Sequence, residues 1–200
     1  MKNILLFLLS TILLSSCNTY HRMTQSEIRL IQSVDNNAPF KVLLTSNANE
    51  EKKLRQPSRD LNFKKDKKVI DLLISRLKAT MFLESGVGIA APQIGISRNL
   101  FLFVRVDKPD EQIEVAINPK ILNHPNETIY FERDGCLSVP NFSGNSIRYP
   151  WIEVEYTNEN GVLIREKLEG YSRQDNFVAV IFQHEFDHLQ GVLFIDKLCK

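Results

Sequence analysis

Residues 183–190 read QHEFDHLQ. The HExxH spacing within this stretch constrains the fold more than any other feature of the chain. A helix turns every 3.6 residues, so His184 and His188 stack one turn apart with Glu185 beside them. Two imidazoles and a carboxylate so placed suit a divalent metal and a base for its water. Two ligands do not hold a catalytic metal, however. Only twelve residues follow His188, and Asp196 is the one carboxylate among them. The stretch also runs along the longer pattern of zinc proteases until Phe194, which stands where that pattern has its final histidine. The third ligand must come from upstream, where His21, His124, Cys136 and the acids are candidates. His124, in LNHPNE, reads as a polar surface turn. Cys136, in DGCLSVP, would complete a Cys/His/His set with a fourth position open.

The rest of the chain supplies a frame for that helix. Two hundred residues suffice for one domain with a sizeable core. Hydrophobic content of 43%, charged content of 24% and a net charge of +1 are those of an ordinary globular protein, with no pull towards nucleic acid. Ile70, Leu73, Leu77 and Met81 recur every three or four residues, predicting an amphipathic helix over 66–84 that Gly86 and Gly88 end. KVLL (41–44) suits a short strand. LFLFVRV (100–106), IEVAIN (113–118), IEVEYTN (152–158) and GVLIREKLEG (161–170) are strand-like, and NENG marks a hairpin between the last two. The final helix is expected from about Gln174 to Gln190. The sum is an α+β fold: antiparallel sheets around a C-terminal helix carrying HExxH, plus an N-terminal amphipathic helix.

The N-terminus has a different character. MKN, then ILLFLLSTILL, then LSSC resembles a bacterial lipoprotein signal, with an apolar run short for a membrane span. On that reading 1–16 is a signal peptide and Cys17 carries the lipid that anchors the chain in an envelope membrane. Residues 17–39 are then a polar linker and 40–200 the functional domain. Without processing, the location is cytoplasmic. Between Lys52 and Lys68 lie eight Lys/Arg and two Asp, a solvated loop or a surface for anionic lipid heads. Cys136 and Cys199 could pair as a disulfide in an oxidising compartment.

Three motifs in order, GVGIAAPQIG (86–95), DGCLS (134–138) and QHEFDH (183–188), resemble the GxGxAAPQ, EGCLS and QHExDH signatures of the peptide deformylases. The likeness runs from about Phe40 to Asp196 and includes INP (117–119) and HLQGVLFID (188–196). It implies removal of the formyl group from the N-terminal methionine of formyl-methionyl peptides. It further implies one divalent metal on Cys136, His184 and His188, natively Fe(2+), with Zn(2+) or Ni(2+) able to replace it. Glu185 would be the general base. The Gln93 side-chain amide and the Leu137 backbone N–H would bind the oxyanion. Gly88 would let a peptide backbone lie close. Phe177, Val180 and Ile181 precede His184 by seven, four and three residues, so they share its face, as a methionine pocket or as plain core.

Two features depart from the family pattern. Asp134 stands where glutamate is usual. Its place two residues before Cys136 suits a hydrogen bond to a ligand or to an arginine, with Arg148 the candidate, and the shorter acid is expected to loosen the site. Export is also foreign to an enzyme that serves ribosomes. Two functional readings follow: an active metallo-amidase, or a deformylase-like envelope lipoprotein that binds peptide or metal with little catalysis. An HExxH endopeptidase is disfavoured by the missing downstream ligand.

Overall fold

The computed structural model describes residues 21–33 and 38–199; the signal segment and Cys17 lie outside the described residues. The described residues form four α-helices: α1 Gln25–Ile31, α2 Ala48–Leu54, α3 Phe63–Leu83 and α4 Val178–Leu189. The strands are β1 Gly88–Ala90, β2 Leu100–Val104, β3 Ile113–Asn123, β4 Ile129–Cys136, β5 Val139–Arg148, β6 Trp151–Thr157 and β7 Leu163–Glu169. A five-stranded antiparallel sheet has the order β1-β2-β3-β6-β7, and β4-β5 forms a separate antiparallel hairpin. No helix among the described residues is long and apolar enough to cross a membrane.

Within the large sheet, β2 is buried on both faces. Side chains alternate along a strand, so Leu100 and Leu102 join one core with Ile70, Leu73, Leu77 and Met81 of α3. Phe101 and Phe103 join the other, with Val178, Ala179, Ile181 and Phe182 of α4. Phe182 meets Phe101 and Phe103 edge-on at centroid distances of 4.9 and 5.4 Å, a preferred aromatic geometry. This packing fixes α4, and with it both histidines, against the sheet.

Several boundaries differ from those expected. Helix α3 starts at Phe63 because Asn62 caps it, its side chain accepting from Lys65 N. It ends through Ser85, whose φ of 54° makes the left-handed turn, followed by a bond from Gly86 N to Met81 O. The two glycines therefore do not end it. Helix α4 begins at Val178, not Gln174, because Tyr171 N donates to Asn176 O and closes residues 171–176 into a turn. KVLL forms no strand; Leu43 N instead donates to the Gln93 carbonyl at 2.7 Å. Within the stretch read as a polar linker, α1 is capped by Thr24, and Met23 and Ile31 are buried in the α3 core. Cys136 and Cys199 are both free thiols, so no disulfide joins them.

Candidate active site

The three motifs meet at one cleft of about 360 Å³, lined by β1, the 85–88 turn, the β4-β5 hairpin and the first half of α4. Cys136, His184 and His188 each offer one ligand atom, all within 4.8 Å of one another. Cys136 Sγ lies 3.3 Å from His188 Nε2. Local backbone features aim the cysteine. A bulge between Phe131 and Asp134, with Arg133 at φ 50°, turns Asp134 into the core. Cys136 then pairs with Val139 across a tight turn holding Leu137 and Ser138.

Asp134 binds the first histidine directly. Its Oδ1 is 3.1 Å from His184 Nδ1, while Oδ2 accepts from Arg148 Nη2 at 2.9 Å and Ser146 Oγ at 2.6 Å. The shorter acid reaches these partners directly, because the bulge carries its carboxylate towards them. Burial would raise the Asp134 carboxyl, but the bonds and charges of His184, Arg148 and Ser146 hold it well below the usual range. A carboxylate on Nδ1 leaves Nε2 of His184 as the ligand nitrogen. Burial pushes the His188 imidazole well below its ordinary value and so favours the neutral form that ligates.

Arg148 Nη1 also donates to Asp187 Oδ2 at 2.6 Å, so the arginine is buried between two acids. Asp187, Ser146 and Ser138 are functional neighbours that sequence reasoning missed. Asp187 lay inside the HEFDH motif, and its position three residues after His184 was the available signal. Ser138 holds Gln93. The Gln93 Oε1 accepts from Ala90 N at 2.9 Å, which turns Nε2 towards Ser138 Oγ (3.2 Å) and Cys136 Sγ (3.6 Å). The 3-10 turn Ala91–Ile94, opened around Pro92 and closed by left-handed Gly95, sets that glutamine in place.

Glu185 is buried, and its Oε2 has no hydrogen-bond partner among the described residues. Burial pushes its carboxyl up to about 7. A buried, unpartnered carboxylate beside a Cys/His/His set calls for a polar group at that point. The donor set and this orphan oxygen together fit one divalent cation with an open position for water. The Gly88 α-carbon faces the same carboxylate: a Cβ there would approach Glu185 Cγ to 2.9 Å. The missing side chain of Gly88 thus makes room for Glu185, a use the sequence did not suggest.

Leu137, Phe177, Val180 and Ile181 all line the cleft, whereas Arg148 lies behind its ligands. Ile181 also belongs to the α4 core, so it is both cleft lining and core. Phe177 caps α4 and stacks on Phe131 at 5.8 Å. Arg173, unremarked in the sequence, covers both rings at 5.0 and 5.5 Å and edges the cleft.

Comparison with known proteins agrees with this geometry. Residues 45–200 match the family model of polypeptide deformylase. Peptide deformylase 2 of Nostoc sp. is 44% identical over 135 residues, 64% of this chain and 72% of that protein. The peptide deformylase of Thermotoga maritima is 44% identical over 125 residues, 62% of this chain and 70% of that protein. The crystal structure of peptide deformylase from Thermotoga maritima superposes with a TM-score of 0.68 at 34% identity, covering 81% of this chain and 99% of that one. A Met-Ala-Ser-bound class I type b peptide deformylase from Acinetobacter baumannii gives 0.70 at 28% identity, with 81% and 99% covered. This chain belongs to the peptide deformylase family, hydrolases that act on formyl-methionyl peptides.

Proposed function

We propose that Cys136, His184 and His188 hold one Fe(2+) and that this site deformylates peptides beginning with formyl-methionine. The observation carrying the proposal is the convergence of those three ligand atoms beside the buried, unpartnered Oε2 of Glu185. The bound cation would supply Lewis-acid polarisation and a lowered pKa for water. Glu185 takes the proton of the attacking water on its carboxylate and passes it to the leaving amine nitrogen as the formyl C–N bond breaks. The Gln93 amide, oriented by Ala90 N, and the Leu137 backbone N–H donate to the developing oxyanion. Asp134 and Arg148 keep the His184 ring in its ligating orientation.

The peptide lies along β1, which pairs with β2 on one side only and stands at the sheet edge. Its methionine side chain enters between Val180, Ile181 and Phe177. The Met-Ala-Ser bound to the Acinetobacter baumannii relative supports a methionine-first occupant. A complete Cys/His/His/Glu set favours turnover over the binding-only lipoprotein. Anaerobically purified, iron-loaded protein should release formate from formyl-Met-Ala-Ser. Metal-replete protein that binds this peptide and releases none would leave the binding-only reading in its place.

The second part of the proposal is the address. LSSC after a short apolar run supports lipidation of Cys17 and anchoring to an envelope membrane. Cells fed labelled fatty acid should label the wild type and not Cys17→Ser. Equal absence of label, with soluble protein, would return the enzyme to the cytoplasm.

A further inference from the structure

The described chain enters the fold in the middle of its most basic stretch. His21 N donates to Asp60 O at 3.2 Å, and His21 forms a parallel bridge with Leu61. Arg22 reaches Asp66 at the start of α3. Residues 59–68 carry Arg59, Lys64, Lys65 and Lys68, all exposed and without an ion pair among the described residues. Of the nearby acids, Asp66 is paired with Arg22 and Asp71 with Lys67. Only Asp60, which accepts from the neutral Asn99 amide, sets a negative charge against the four unpaired cations. The surface is therefore positive in net effect as well as in composition.

Cys17 lies four residues before His21. Four residues of chain reach at most about 15 Å. We propose that this basic surface rests on anionic phospholipid headgroups beside the lipid attached to Cys17, and so fixes the orientation of the enzyme on the membrane. This rests on the proposed anchor. Acyl chains hold the protein at the bilayer, and the lysines choose which side faces it. Helix α3 explains what the orientation achieves. Its first turns carry Lys64, Lys65 and Lys68, and the residues after its last turn, Ser85–Gly88, line the cleft. Twenty-one residues of helix separate the two by roughly 30 Å. The start of β2 is tied to Arg59 through Asn99, and its end is tied to Val87 at the cleft. Both elements run from the basic surface to the active-site rim. A protein resting on this surface presents its cleft away from the bilayer, towards peptides in water.

The test uses the full-length mature protein on vesicles of phosphatidylcholine, with or without phosphatidylglycerol, and amine acetylation read by mass spectrometry. Lys64, Lys65 and Lys68 should react about fivefold more slowly on anionic than on neutral vesicles, and high salt should remove the protection. Lys108 and Lys167, on the β2-β3 connection and β7, should react equally on both. Lys64→Glu/Lys65→Glu/Lys68→Glu should keep formate release and membrane retention while Arg59 and Arg22 lose their protection from an arginine reagent. The N-terminal peptide in the same spectra reports the acyl group on Cys17. Acylated protein with equal lysine reactivity on both vesicles overturns the docking surface and leaves the anchor standing. Unacylated protein that still sediments with anionic vesicles, lysines protected, keeps the surface and overturns the anchor. Unacylated protein that binds neither vesicle overturns both. Protection by added RNA but not by vesicles assigns the surface to nucleic acid instead and overturns the proposal.

Discussion

Gly88 and Glu185 share a space that holds only one side chain. An ideal Cβ on Gly88 would lie 2.9 Å from Glu185 Cγ and nearer still to the carboxylate. Strand β1 is fixed by its register with β2, Gly88 opposite Phe103, so the carboxylate must move if a methyl is added. Gly88→Ala should lower formate release about a hundredfold, the scale of a misplaced catalytic group. Metal content should hold, since neither histidine is touched. Full activity in Gly88→Ala would show that β1 gives way and that the glycine does not set the base.

Glu185→Gln tests the base without changing its shape. The amide cannot take a proton, and general-base contributions run to about a hundredfold or more. Formate release should fall by that order while elemental analysis still finds one metal per chain. Near wild-type turnover would remove Glu185 from proton transfer.

Asp134 already reaches His184, Arg148 and Ser146 at 3.1, 2.9 and 2.6 Å. The family's glutamate should therefore bring no gain: Asp134→Glu must fold an extra methylene into a buried, fully bonded position. Asp134→Asn, which keeps the shape and removes the charge, should weaken metal retention about 10–100-fold. Competition with a chelator measures both variants. A clear improvement in Asp134→Glu would mean that the bonds to the shorter acid are poorer than their lengths imply.

Acid sensitivity should originate partly at Arg105, which does not line the cleft. Its guanidinium pairs with Asp107 at 2.7 Å and with Glu114 at 3.0 Å. The bond from Arg105 holds Asp107 below its ordinary 3.8. For Glu114, burial acts upwards, but Lys108, Tyr156 and Arg105 together hold it below 4.5. Folded values below unfolded ones mean that the stabilisation is complete above the unfolded values and is lost as pH falls through the folded ones. The urea midpoint should therefore drop below about pH 4.5. The drop should be shallower in Asp107→Asn/Glu114→Gln, which starts less stable at neutral pH. Parallel pH profiles for the two proteins would exclude this cluster.

Features contained within one element were legible in the sequence; those depending on distant partners were not. His184, Glu185 and His188 sit on one helix, so spacing alone revealed them. Ile70 to Met81 gave α3 for the same reason. The β4-β5 hairpin escaped because most of its side chains are polar or exposed; Phe131 and Val139 are its only fully apolar buried positions. Helices α1 and α2 are seven residues each, too short for a periodic pattern and set by Thr24 and Asn47 caps. LFLFV showed an apolar strand, yet its two faces serve two different cores, which composition cannot distinguish. Cys136 was drawn into the site by family resemblance, and the bulge at Arg133 is the physical reason it gets there.

Arg148 joins the ligand-bearing hairpin to the ligand-bearing helix. It bonds Asp134 of β4 through Nη2 and Asp187 of α4 through Nη1, with all three side chains mostly or wholly shielded from water. Removing the cation strands two acids in a low-dielectric setting, and breaking such a pair from one side typically costs about 3–5 kcal/mol. Arg148→Met should lower thermal stability by that order and release metal more readily, because Asp134 loses the group that holds it against His184. Adding Asp187→Asn removes one stranded charge and should return part of the stability without returning the metal. Thermal melts of the metal-free proteins, beside chelator competition on the loaded ones, separate the two effects. If the double variant recovers both together, Arg148 acts on stability alone, and His184 is oriented without it.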